Sequence, residues 1–149
     1  MSTKKRGKNS TSSRRFRSGF EATIASSLES RRIVFQYEAL KLEYVKRIRS
    51  GFCLSCGFPA SVGQERTYTP DFLLVDTGVI VETKGKFTPS DRAKMLQIKD
   101  AYPELDIRMV FQYNNKLSKR VNKRYSDWCD EHEFIYAVGD VPTKWGKND

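Results

Sequence analysis

"PDFLLVDTGVIVETKGK" occupies residues 70–86. Two apolar runs, 72–75 and 79–81, flank Asp76, Thr77 and Gly78, and that arrangement predicts a β-hairpin with a tight turn. Three charges sit at its ends: Asp71, Glu82 and Lys84. Side chains alternate along a strand, so Glu82 and Lys84 share one face while Val81 and Thr83 share the other. A hairpin also brings Asp71, near the start of the partner strand, beside Glu82.

Charges at the mouth of a hydrophobic hairpin are costly to desolvate unless something compensates them. Two carboxylates with backbone carbonyls and water suit Mg²⁺, a hard cation that prefers oxygen. Lys84 cannot ligate a metal, but it can hold or activate an attacking water or neutralise charge on a phosphate. Pro70-Asp71 with Glu82-Thr83-Lys84 is the PD-(D/E)xK pattern. The competing reading is a hairpin whose charged ends face solvent.

Outward from this hairpin the chain reads as a mixed α/β domain. "SGFEATIASSLESR" repeats Phe20, Ile24 and Leu28 at four-residue steps, predicting an amphipathic helix capped by Ser18. Residues 33–45 alternate as one long or broken strand. Residues 46–66 read as an inserted loop broken by Gly51, Gly57, Pro59 and Gly63. A helix is expected over "PSDRAKMLQIKDAY", with Ser90 as cap and Pro103 as stop. "DIRMVFQY" reads as a strand, "NNKLSKRVNKR" as a basic loop, "RYSDWCDEHE" as a short helix and "FIYAV" as a last strand. Helices and strands in this order imply a mixed β-sheet flanked by helices. Trp128, Trp145 and Tyr68 are assigned to packing, and Thr67 and Thr69 to strand formation.

The 149 residues fit a single domain with a real core. Net charge is +9, and it is unevenly placed. Lys4, Lys5, Arg6, Lys8, Arg14, Arg15 and Arg17 lie in the first 20 positions, which hold no acid. Residues 1–15 therefore read as a disordered basic arm on a nearly neutral body at 16–149. Such an arm suits a polyanion, because bound Lys and Arg release counterions from phosphates; the alternative is a solubilising tail. No apolar run approaches the length of a membrane span, and no apolar segment follows the basic start as in a secretory signal. Three cysteines argue for a reducing compartment rather than a closed disulfide framework.

Four stretches, "FRSGFE" (16–21), "YTPDFLL" (68–74), "VETKG" (81–85) and "YPELDIRMVF" (102–111), together resemble the phage endodeoxyribonuclease I family of podoviral Holliday-junction resolvases. The resemblance covers most of residues 14–145. It implies a restriction-endonuclease-like fold and an intertwined, domain-swapped homodimer. It also implies Mg²⁺-dependent hydrolysis of four-way and branched DNA, giving 5′-phosphates, in the cytoplasm of the infected host. Asp71, Glu82 and Lys84 match the family's catalytic residues directly. Glu21 matches a glutamate that meets the PD/ExK residues of the other protomer, although Ser18 to Glu21 is also a capping box. One or two Mg²⁺ per site are implied, with Mn²⁺ as a substitute. DNA contacts are expected from Arg14, Arg15, Arg17, Lys116, Lys119, Arg120, Lys123 and Arg124, reading shape and phosphates rather than sequence.

The chain departs from the family at residues 46–66, which lengthen a connection that in the family bridges protomers. That insert carries Cys53 and Cys56 in C-x-x-C spacing, and Cys129 and His132 stand in C-x-x-H spacing. Together they would make a Cys₃His structural zinc set; otherwise they are free thiols and an ordinary helix end. Two other functions compete: a non-catalytic architectural DNA-binding protein with a zinc-ribbon-like loop, and a mismatch or site-specific nicking endonuclease on the same fold. The intact Asp71, Glu82 and Lys84 set argues against a pure binder.

Overall fold

Ser18 caps the first helix as the sequence predicts. Its hydroxyl accepts the Glu21 backbone N–H at 3.1 Å and starts helix α1 (Gly19–Ser30), which buries Ile24, Ala25 and Leu28. The structure, a computed structural model, describes residues 16–52, 55 and 59–148; the side chains of 47–52 and 59–62 fall outside that description. The basic arm, including Arg14 and Arg15, and Cys53 and Cys56 also lie outside the described residues.

After α1 come strands β1 (Phe35–Tyr37), β2 (Leu42–Phe52), β3 (Pro59–Tyr68), β4 (Phe72–Leu74) and β5 (Ile80–Lys84). Helix α2 (Pro89–Ala101) leads to β6 (Ile107–Phe111), and β7 (Lys116–Ser118) and β8 (Val121–Arg124) follow. Helix α3 (Tyr125–Glu131), β9 (Tyr136–Val138) and the short helix α4 (Thr143–Gly146) complete the order. The main sheet has the order β1-β4-β5-β6-β9. β1, β4 and β5 pair antiparallel, whereas β5, β6 and β9 run parallel. Its parallel half needs the crossovers that α2 and α3 supply.

Each face of the sheet is covered. On one, α1 and Trp145 pack on Phe72, Leu74, Val81 and Val110. On the other, Met95 and Ile98 of α2 and Trp128 and Cys129 of α3 pack on Ile80, Met109 and Phe111. β5 thus sits at the centre of a double-sided core, and its buried residues alternate between the two clusters as a strand requires.

The predicted hairpin is present: Phe72 pairs with Val81 and Leu73 with Ile80. Its turn places Gly78 at φ +75°, with its N–H donating to the Leu74 carbonyl at 2.8 Å. Nothing lies within 4 Å of a Cβ built there, so a side chain would be penalised by backbone strain alone. Gly78→Ala is expected to destabilise the protein by about 1–2 kcal/mol. A urea midpoint that falls with an unchanged slope would report it.

The structure corrects several sequence expectations. Residues 46–66 are largely not a loop: β2 and β3 pair antiparallel from Leu42↔Tyr68 to Phe52↔Pro59, forming a two-stranded ribbon. Its glycines and proline looked like breakers. Pro59 instead stands at the first position of a strand, where a missing N–H is tolerated. Gly63 is needed because a Cβ there would collide with Cγ1 of Val45. The basic loop at 114–124 is mostly the β7–β8 hairpin, whose fully exposed β8 left no apolar alternation to read. Thr88 caps α2, not Ser90. With Pro89 at N1 the cap falls two residues earlier, and Asp91 completes a capping box. Thr67 is in β3, but Thr69 lies outside any strand. The 33–45 strand is broken, with Glu38 at φ +49° between its two parts.

Candidate active site

Four elements converge on the carboxylates. Pro70 and Asp71 lie between β3 and β4, where the Asp71 carbonyl accepts the Glu38 N–H at 2.9 Å and fixes the backbone. The Asp71 side chain turns back onto β5: its Oδ2 accepts the Thr83 N–H at 2.8 Å and the Thr83 hydroxyl at 2.7 Å. Burial pushes the Asp71 carboxyl above its usual range, although both Thr83 hydrogen bonds oppose the shift.

Glu82 projects from the face of β5 opposite to that of Thr83. The Tyr68 hydroxyl donates to its Oε2 at 2.5 Å, and Lys84 Nζ lies 3.4 Å from its Oε1. Only 4% of Glu82 and 7% of Asp71 is exposed. Burial first, and the charge of Asp71 second, push Glu82 up to about 7, against the pull of Lys84, Tyr68 and Lys94. Two like charges held together under low exposure disfavour each other's ionised form. Tyr68 is itself fully buried, and burial and the Glu82 charge hold its phenol protonated well above the ordinary range.

Lys84 is held from two sides. Its ammonium reaches Asp91 Oδ1 at 3.5 Å as well as Glu82. Burial works to discharge it, but Glu82 and Asp91 prevail and keep its pKa above the normal lysine value. Asp91 sits at N3 of α2, where its other oxygen accepts the N–H and hydroxyl of Thr88. The helix cap thereby fixes the lysine.

Glu21 is 8% exposed and approaches from α1 of the same chain. Its charge is felt at Asp71. Only half of the S-x-x-E capping box forms. The Glu21 N–H reaches Ser18 Oγ, while its carboxylate Oε2 accepts the Arg17 N–H at 3.1 Å and the Tyr37 hydroxyl at 2.5 Å. The side chain is thus aimed by Tyr37 rather than consumed by the cap.

Among the described residues, no group of three or more His, Cys, Asp and Glu side chains is gathered closely enough to hold a metal ion. Asp71 and Glu82 form a pair, with Glu21 as a neighbour. An all-oxygen pair in which burial raises both carboxyls, and the charge of Asp71 raises Glu82 further, fits a hard divalent cation that would offset the cost of holding them ionised. The fit is to a site that still needs backbone, water or substrate oxygens.

A comparison with protein families matches residues 1–149 to the family described as Phage endonuclease I. The chain belongs to the phage endonuclease I family. Endonuclease I of Escherichia phage T7 is 41% identical over 133 residues, covering 89% of this chain and 78% of that protein. Endodeoxyribonuclease 1 of Enterobacteria phage T3 is 39% identical over 133 residues, covering 89% of this chain and 77% of that protein.

The remaining sequence-derived candidates of this endonuclease I family member are dispersed. Cys129 is fully buried in the core, and burial pushes its thiol up to about 12. His132 is the C-cap of α3, its ring 4.7 Å from that of Trp128. This pair packs and caps, while its proposed partners Cys53 and Cys56 lie outside the described residues. Lys116, Lys119 and Arg120 are exposed around the β7–β8 turn. Lys123 pairs with Glu131, and Arg124 donates to the Asn114 carbonyl at 2.8 Å. Arg17 is paired with Glu38 at 2.6 Å.

Sequence reasoning missed four supporting side chains: Tyr68, Tyr37, Thr83 and Asp91. Thr83 had a signal, since it is the middle residue of the Glu-x-Lys motif. Tyr68 was correctly placed in the core, but its hydroxyl contact to Glu82 could not be read from spacing.

Proposed function

We propose that this protein is a divalent-metal-dependent endodeoxyribonuclease that resolves four-way and branched DNA junctions. The observation that carries the reading is the buried Asp71–Glu82 pair with Lys84 held beside it, in a chain belonging to the endonuclease I family. A protein that only binds DNA has no need to bury two repelling carboxylates, so the architectural alternative is set aside.

Asp71 and Glu82 would hold Mg²⁺, with Mn²⁺ as a substitute, and Glu21 would bind it through water or join it directly. When bound, the metal supplies Lewis-acid stabilisation of charge on the scissile phosphate. The protein's own groups do the rest. Tyr68 and Thr83 fix the carboxylate orientations. Lys84 presents a permanent cation that donates to the attacking water or to a phosphate oxygen. In-line attack by water releases a 5′-phosphate and a 3′-hydroxyl. Arg17, Lys116, Lys119, Arg120, Lys123 and Arg124, with Arg14 and Arg15 of the arm, supply phosphate contacts that read shape.

The working unit is a homodimer, whose two-fold axis matches the symmetry of a four-way junction. α1 and β1 pack on β4 of their own chain. A swapped dimer would make the same contacts with these elements exchanged, the β2–β3 connection being the segment across which they part. The site of action is the infected host's cytoplasm; among the described residues no helix is long and apolar enough to cross a membrane.

Cleavage of an end-labelled four-way junction beside a linear duplex of the same sequence tests the reading. Paired cuts near the branch with Mg²⁺, abolished by EDTA, are expected. Equal cutting of both substrates would make it a general or mismatch nuclease, and binding without cutting would return it to an architectural role.

A further inference from the structure

The β2–β3 ribbon has two chemically different faces. Directly paired residues share a face. The face of Leu42↔Tyr68 and Tyr44↔Arg66 continues through Lys46↔Gln64. The register then shifts between Arg47 and Arg49, leaving Ile48 as the extra residue of a bulge. Up to that bulge, one face therefore carries Lys46, Arg66 and Gln64 and no acid. The other carries Glu43 and Glu65.

The basic face is continuous with the active site. At the base of the ribbon, Tyr44 and Tyr68 on this face are buried in the core beside α2. Tyr68 touches Glu82, and Lys94 Nζ lies 4.9 Å above the Tyr68 ring. Two residues beyond, about 7 Å along the strand, stands exposed Arg66, which donates to Gln64 Oε1 at 2.6 Å. The cations thus form a track leaving the carboxylate pair along one side of an antiparallel ribbon.

We infer that this face of the ribbon, through Lys46 and Arg66, grips the phosphate backbone of a duplex arm flanking the cut. The inference rests on the nuclease reading above. Charge complementarity chooses DNA over a second copy of the chain, because the acidic residues are kept on the face turned away. Lys and Arg contacts to phosphate displace condensed counterions, so the contact has a thermodynamic signature apart from catalysis.

The test is junction binding in Ca²⁺, without cleavage, across 50–200 mM salt, for wild type and for the double variant K46Q/R66Q. Sedimentation of each protein accompanies it. Loss of two contacts should flatten the log–log salt slope by about 2 and weaken binding most at low salt. E43Q/E65Q, on the opposite face, should leave affinity undiminished. An unchanged slope in the double variant, with wild type still binding and cutting junctions, would overturn the ribbon contact alone. An unchanged slope with a dimer turned monomer would reassign the face to subunit pairing. If wild type itself neither binds nor cuts branched DNA, the nuclease reading falls and this inference with it.

Discussion

Glu82→Gln is expected to bind a four-way junction as wild type does and to cut it about 10³-fold more slowly or worse. The substitution preserves shape, so the Tyr68 hydroxyl can still donate to an amide oxygen at the same place. What disappears is the charge that would hold the metal. Folding should not suffer. Burial and Asp71 raise the Glu82 pKa from 4.5 to about 7 in the folded chain. Between those values the folded state holds a proton that the unfolded state has released, so metal-free wild type loses stability as pH rises through that window. The loss is on the order of 3 kcal/mol. Glu82→Gln should escape it and melt higher than metal-free wild type at pH 7.5. Single-turnover cleavage, gel shift in Ca²⁺ and thermal melts in EDTA read the three effects separately. Cleavage at the wild-type rate would sink the proposed site.

Lys84→Ala should lose about 10²–10³-fold in cleavage while keeping, or improving, metal affinity. Lys84 lies 3.4 Å from Glu82 Oε1 and competes there with any divalent cation. Its removal clears that oxygen but leaves no cation beside the attacking water. The two variants therefore separate in a calorimetric Mn²⁺ titration of the free protein: binding is weakened by Glu82→Gln and retained by Lys84→Ala. If Lys84→Ala cuts within tenfold of wild type, the lysine only balances charge between Glu82 and Asp91.

The hairpin at 72–84 was legible because its signals are local. Apolar runs, a turn glycine at positive φ and alternation of Val81 and Thr83 against Glu82 and Lys84 all lie within 15 residues. The α1 start was legible for the same reason, since Ser18 and Glu21 are three residues apart. The ribbon was misread because its glycine answers to Val45 on the opposite strand, and a sequence does not announce which residue will lie across from which. Exposed β8 has no buried face to impose a period of two. The supporting shell was hidden in the same way: Tyr37 meets Glu21 across 16 residues and Tyr68 meets Glu82 across 14. Aromatic residues beside apolar ones read as core, and these are core, but each turns its one polar atom towards a carboxylate.

The position of β5 has a consequence for the protein's motions. β5 is flanked by β4 and β6 and covered on both faces, so its amides can exchange with solvent only through nearly global unfolding. The ribbon, two strands wide and exposed at Val45 and from Gly63 to Thr67, belongs to the low-energy end of local opening. Cutting geometry and grip are thus assigned to different cooperative units. In the inferred complex the ribbon would follow duplex arms that leave a branch at different angles, while Glu82 and Lys84 hold their spacing on the rigid strand.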